Sequence, residues 1–235
     1  PFAGSPRFGV TAPAPVLYVV GEGARGIGKR VRAWCKQRGI DRRRVGANLT
    51  VLEGAAQLGS QRDMDAVAKK VTETRAALVV FDTQARCTVG LEENSATDQG
   101  RAVAQLDTLM RRTGVAALVL HHTTKADPRN ARGTVAWLNA VDVQLIALRE
   151  DPKAMEVVIE IGKMKDDAVE GPYPFTVAKV ALGNGEDSLV IAAGADPMQA
   201  DGPDQPMEKW TGPGSAFVKP ILALAQEHCI PGEGL

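Results

Sequence analysis

The spacing of apolar residues divides the chain into two patterns. Up to about residue 120, short runs that are apolar throughout alternate with amphipathic stretches. Val16–Val20 (VLYVV), Leu49–Leu52, Ala77–Phe81 (ALVVF) and Val115–Leu120 (VAALVL) have the length and continuity of strands buried on both faces. Between them, Arg30–Arg38 sets Val31, Trp34 and Cys35 at i, i+3 and i+4, with Gly39 as a helix stop. Asp63 can cap a helix striped by Met64, Val67 and Val71. Ser95, with Asp98 three residues on, opens a helix that turns Val103, Leu106, Leu109 and Met110 inward and stops at Gly114. This alternation predicts an α/β fold, a parallel sheet with helices on both faces.

After residue 140 the pattern changes. Val143–Leu148, Met155–Ile161 and Phe175–Leu182 read as strands without long helices between them, which predicts an antiparallel C-terminal extension. Residues 194–215 are polar and rich in Pro and Gly, as a linker would be. Phe217–His228 reads as a lone helix whose Ile221, Leu222 and Ala225 need a partner. The expected organisation is a core over residues 1–193, a linker over 194–215, and the start of a helical module over 216–235.

Charge and composition narrow the function. The 235 residues carry 28 Lys+Arg against 28 Asp+Glu, so the net charge is zero. That argues against a histone-like binder, whose affinity rests on many phosphate contacts, but leaves room for nucleic acid held by a few loops. Cys35, Cys87 and Cys229 form no C-x-x-C pair, so neither a zinc ribbon nor a disulfide framework is expected, and a cytoplasmic, reducing setting fits. No apolar run approaches the roughly 20 residues of a membrane helix. The absence of an initiating Met and the abrupt end suggest a piece of a longer protein.

Residues 21–30 (GEGARGIGKR) lie between a strand and a helix and admit three readings. Gly21-x-Gly23-x-x-Gly26 matches a dinucleotide fingerprint and would suit an NAD(P)-dependent oxidoreductase. Gly23-x-x-x-x-Gly28-Lys29 matches most of a P-loop, but Arg30 stands where a hydroxyl should meet Mg²⁺. A tight turn is the third. Hydride chemistry finds no Tyr-x-x-x-Lys pair. Instead an apolar strand ends at Asp82, the next ends at His121-His122, and a basic loop follows. That succession belongs to nucleotide hydrolysis, with Asp82 placed to hold Mg²⁺ through water and the next strand's tip placed to touch a γ-phosphate.

Several segments together resemble the RecA-like ATPases of the RepA-type hexameric replicative helicases, common in plasmids and phages. They are VLYVVGEG (16–23), VVFDTQAR (79–86), EENSATD (92–98), VLHHTTK (119–125), ARGT (131–134) and KMKD (163–166), in the family's order. The resemblance implies Mg-ATP as substrate, single-stranded DNA as partner and a ring of identical subunits. Glu22 then looks like the carboxylate that activates the attacking water, Asp82 like the Mg²⁺ holder, and one of His121 and His122 like the γ-phosphate sensor. Adjacent on a strand, the two histidines face opposite sides and do not easily bind one metal together. Lys163 and Lys165 take the place of residues that reach into a neighbour's ATP, although a salt-bridged surface strand is an equal reading.

In the basic loop 123–133, Lys125, Arg129 and Arg132 can track a DNA backbone, without an aromatic to stack on. Trp137 departs from the small residues usual after the family's R-G-S-type segment. The basic cluster Arg25–Arg44 reads more readily as a solvated helix face. On this resemblance the true P-loop lies on an earlier strand, so the chain is expected to lack its first strand and P-loop and to bind ATP poorly. A catalytically inactive remnant that binds DNA or a ring partner is the rival reading.

Overall fold

The computed structural model describes residues 14–124, 127, 129–149, 151, 153, 155–169 and 171–192. Lys125, the linker at 194–215, the helix expected at Phe217–His228 and Cys229 lie outside the described residues. In chain order the elements are β1 (Val16–Val20), α1 (Ala24–Arg38), α2 (Arg42–Gly46), β2 (Leu49–Glu53), α3 (Gln61–Thr74), β3 (Leu78–Asp82), α4 (Gln84–Cys87), α5 (Ala96–Thr113), β4 (Ala116–Leu120) and α6 (Ala136–Ala140). Strands β5 (Val143–Leu148), β6 (Glu156–Met164), β7 (Tyr173–Gly183) and β8 (Glu186–Ile191) follow. This is the α/β, RecA-like arrangement expected, a parallel sheet with helices and then an antiparallel extension. The described residues divide into two compact units, Ala14–Ala24 with Gly46–Val141, and Arg25–Val45 with residues 142–192.

The first unit is built on a parallel sheet in the order β2-β1-β3-β4. Its central strands, β1 and β3, are shielded on both faces. Every residue of β3 is buried, and in β1 Tyr18 alone is half-buried. This burial is why these runs are apolar without alternation. One face of the sheet, carrying Leu17, Val19, Val79 and Phe81, packs in a core with Met64, Val67 and Val71 of α3 and Ala102, Leu106 and Leu109 of α5. Each of the Leu, Val, Met and Phe side chains contributes about 1.5–3 kcal/mol by leaving water.

Helix α5 starts and stops as its sequence implies. The Ser95 hydroxyl accepts from the Asp98 amide, and Gly114 ends the helix at φ 72°. Helix α3 is capped differently from expectation. Ser60 is its N-cap, accepting from the Asp63 amide, while the Asp63 carboxylate accepts from the Gln57 amide. Asp63 thus sits at N3, where a carboxylate both favours the helix dipole and ties down the preceding turn.

The second unit is an antiparallel sheet in the order β5-β6-β7-β8 with α1 packed on it. Ala33 and Trp34 of α1 meet Ala178, Val180 and Leu182 of β7 and Val190 of β8. Arg32 pairs with Glu186 at 3.0 Å, and Lys36 Nζ donates to the Ala181 carbonyl at 2.8 Å.

Two differences from the sequence reading fall here. Helix α1 starts at Ala24, not Arg30, so Gly26 and Gly28 are helical. Strand β8 was not expected at all. It is joined to β7 by Asn184-Gly185, both at positive φ, the geometry of a two-residue hairpin turn. Within the basic cluster, Asp41 binds Arg43 at 2.6 Å, and those hydrogen bonds hold the Asp41 carboxyl down to about 2. Among the described residues, no helix is long and apolar enough to cross a membrane.

Candidate active site

Parallel strands end on one edge, and the carboxyl edge is where ligands bind in open α/β sheets. The register pairs Val20 with Asp82 and Asp82 with Leu120, so the residues that follow β1, β3 and β4 emerge in one row. That row carries Glu22, Asp82, His121 and His122. Gly21 makes the row tight. Its amide donates to the Asp82 carbonyl at 2.5 Å, and a Cβ at this position would lie 2.7 Å from Arg86 Cβ. A side chain at position 21 would force the strand ends apart.

Glu22 is the hub of the exposed part of the row. One carboxylate oxygen lies 3.5 Å from His122 Nε2 and the other 3.9 Å from Arg86 Nε. His121 turns elsewhere, its Nδ1 2.8 Å from the His122 carbonyl. The structure therefore brings Glu22 and His122 together and leaves His121 on the backbone. Once protonated, His122 forms an ion pair with Glu22. Arg86, on the short helix after β3, was not singled out from the sequence. Its signal was available, a cation four residues beyond a strand-end carboxylate.

Asp82 is nearly buried. Its Oδ2 accepts a 2.8 Å hydrogen bond from the Tyr18 hydroxyl. Tyr18 was also missed, although a phenol in an otherwise aliphatic strand calls for a polar partner. Cys87 lies just beyond. Burial, reinforced by the negative charge of Asp82, pushes its thiol from 9.0 up to about 11, so it is a neutral packing group. Next to Asp82, the buried Thr83 hydroxyl has no hydrogen-bond partner. A buried orphan of this kind marks a place for water or a ligand.

Among the described residues no group of three or more His, Cys, Asp or Glu is placed to hold an ion together. Mg²⁺ keeps most of its waters and takes one or two carboxylates besides phosphate, and the Asp82 carboxylate is a donor of that kind.

The basic loop grows directly from this row. Thr123 and Ala131 form an antiparallel bridge, and the Arg132 amide donates to the His122 carbonyl at 3.1 Å. Arg132 also pairs with Glu93 at 3.4 Å. Gly133 is required here. It has φ 80°, and a Cβ would sit 2.7 Å from the Glu93 carbonyl oxygen. Arg129 lies at the exposed tip, its amide held by Asp127. Trp137, the departure noted in the sequence, is buried at the far stem. Its Nε1 donates to Gln99 Oε1 at 2.8 Å, the oxygen that also accepts from Gln84 Nε2 at 2.8 Å. Gln99 Nε2 in turn donates to the Glu92 carbonyl. This buried polar knot ties the segment after Asp82 to α5 and α6.

Lys163 and Lys165 belong to the other unit. Lys163 pairs in register with Gln144, and Lys165, just past the end of β6, binds Asp142 at 3.2 Å. Within the Gly23–Lys29 stretch, Gly23 precedes α1 at φ 68° and the residues from Ala24 to Lys29 form its first turns. A family model described as an AAA domain matches residues 1–128, a span that takes in Glu22, Asp82 and both histidines. No curated protein matches the chain.

Proposed function

The chain belongs to the AAA domain family, an ATPase-type assignment, and from that premise we propose that it is the motor core of a RepA-type replicative helicase. The observation that carries this reading is the row of Glu22, Asp82 and His122 at the strand ends, with Glu22 held between an imidazole and a guanidinium. Glu22 orients and deprotonates the attacking water. Arg86 and His122 fix the direction of its carboxylate. His122 is the better candidate of the two histidines for sensing the γ-phosphate, since it shares the Glu22 side of the row.

Asp82, with the Thr83 hydroxyl beside it, would hold hydrated Mg²⁺. When bound, that ion neutralises charge on the phosphate oxygens. The loop that starts from His122 carries Arg129 and Arg132, and with Lys125 it would follow the backbone of single-stranded DNA. Lys163 and Lys165 would serve a neighbouring subunit's nucleotide in a hexameric ring. Lysine brings a point charge there rather than arginine's fork. The near-P-loop is helical, and so the described residues at this edge offer no glycine loop to cradle phosphates. We therefore expect weak ATP binding by this chain.

The test is phosphate release at high Mg-ATP, with and without single-stranded DNA, for the wild type and Glu22→Gln. The expected result is hydrolysis that falls about 10²–10⁴-fold in the variant, with nucleotide binding unchanged. Equal turnover by both proteins would remove Glu22 from the mechanism. A wild type no faster than the protein-free control would instead support the non-enzymatic reading.

A further inference from the structure

Strand β1 has one polar side-chain atom among five residues, the Tyr18 hydroxyl. In the parallel register Tyr18 stands opposite Val80, and Val20 stands opposite Asp82. Residues two apart on a strand share a face, so Tyr18 lies one row behind Asp82 on the same side of the sheet. A phenol spans that offset, and its hydroxyl reaches Asp82 Oδ2 at 2.8 Å.

We infer that Tyr18 is the positioning residue for Asp82, holding Oδ2 so that Oδ1 is presented to a hydrated divalent cation. Three observations bear on it. The Asp82 carboxylate is nearly buried, so an unheld oxygen there would lose water without compensation. The bond comes from an adjacent strand of the sheet and not from a loop, so the donor is fixed by the same packing that fixes the strand. The Thr83 hydroxyl, next in sequence, is buried and unpaired, so a second polar group at this strand end awaits a partner. A bare aspartate at a strand end can rotate about its last torsion, and one tied to a phenol cannot. The inference rests on the reading of Asp82 as the Mg²⁺ holder.

The chain has two tyrosines, Tyr18 and Tyr173. Tyr173→Phe therefore leaves a single ¹³Cζ-tyrosine resonance that reports on Tyr18. Three proteins are compared in this background, namely the parent, Tyr18→Phe and Asp82→Asn. Mn²⁺ is titrated alone and then with ADP, and binding is read by electron paramagnetic resonance, with a urea midpoint for each protein.

The expected result is Mn²⁺ binding by the parent, paramagnetic broadening of its tyrosine signal, loss of both in Asp82→Asn, and binding about tenfold weaker in Tyr18→Phe. A shifted urea midpoint in Tyr18→Phe with Mn²⁺ affinity unchanged would make Tyr18 structural only and overturn the inference. Parent-like binding by Asp82→Asn, or none by the parent, would overturn the underlying reading of Asp82 instead. Should Tyr18→Phe fail to fold, the cation-free ¹³Cζ shift still decides. Identical shifts in the parent and Asp82→Asn would mean that the phenol is not held by Asp82.

Discussion

The two units solve the problem of burying a sheet in opposite ways. In the parallel unit all five residues of β3 are buried, whereas in the antiparallel unit β6 has no buried residue over nine positions. The antiparallel sheet buries one face, with Val180 and Val190 against Ala33, while Leu145, Leu189 and Ile191 on its opposite face stay exposed. The difference follows from connectivity. Parallel strands need crossover helices, which cover the sheet, while hairpins leave a face open. The candidate site lies in the first kind of unit, where the row of strand ends follows two strands packed on both sides.

The largest expected effect tests that contrast directly. Phe81 is fully buried and Leu189 is 44% exposed. Phe81→Ala should cost about 3–5 kcal/mol, the range for a large core residue whose cavity cannot collapse. Leu189→Ala should cost less than about 1 kcal/mol, since most of its transfer energy was never gained. Urea midpoints decide it. A Leu189→Ala loss as large as that of Phe81→Ala would mean that the outer face of the antiparallel sheet is covered in solution.

A smaller effect is expected at Gln99. Gln99→Leu keeps the volume but leaves the Trp137 indole N–H and the Gln84 amide without their shared acceptor. Each buried orphan costs about 1–3 kcal/mol, so a loss of about 2–3 kcal/mol is expected after partial relaxation. Trp137→Phe removes one donor and leaves the other in place, and should cost less at the level of hydrogen bonding. Equal losses in the two variants would show that indole packing, not the polar knot, holds α6 to α5.

The same contrast explains what could be read in advance. Strands β1 and β3 were legible because burial on both faces writes an unbroken apolar run, the half-buried β4 because its five residues are apolar too, and Asp82 and His121 mark where two of the runs end. Position along a strand also placed Glu22, Asp82 and the histidines on one edge, since parallel strands share it. What could not be read was anything that depends on register between strands. The Tyr18–Asp82 bond and the Glu22–Arg86–His122 cluster exist only once β1, β3 and β4 are aligned. In the antiparallel unit, β8 went unseen although Asn184-Gly185 is a strong hairpin signal, because Leu189 to Ile191 is a short run with polar residues before it. Gly26 and Gly28 misled in the other direction. Their low helix propensity argued for a loop, yet α1 runs through both.

Each unit holds one described thiol, and alkali separates them. Burial and then the charge of Asp82 push the Cys87 thiol up to about 11, and Cys35 is also raised, with burial as the leading cause. A raised acid is protonated more in the folded chain than in the unfolded one. Its stabilisation is therefore complete below the ordinary thiol value of 9.0 and is lost as pH climbs toward about 11. Urea midpoints of the wild type should fall across that window, and Cys87→Ala should flatten the fall more than Cys35→Ala. The reverse order would place the less penetrable core in the antiparallel unit.

The smallest effect is expected from surface charge, where the two units are alike. Arg112 of α5 meets Asp65 of α3 at 2.5 Å in one unit, and Arg32 meets Glu186 at 3.0 Å in the other, all four side chains about half exposed. Hydrogen bonds from Arg112 and then Gln61 hold the Asp65 carboxyl below its usual 3.8. A lowered acid stabilises the fold above its unfolded value and loses that contribution as pH falls through the folded one. Arg112→Ala should therefore shift the urea midpoint slightly at neutral pH, less in high salt, and not at all once Asp65 is protonated in both states. Arg32→Ala should give a neutral-pH shift of the same small size. A large shift in only one of them would mean that the units differ in their charges as well as their cores. Two small ones would leave the burial of the sheets as the difference that matters, and with it the placement of the candidate site on the parallel edge.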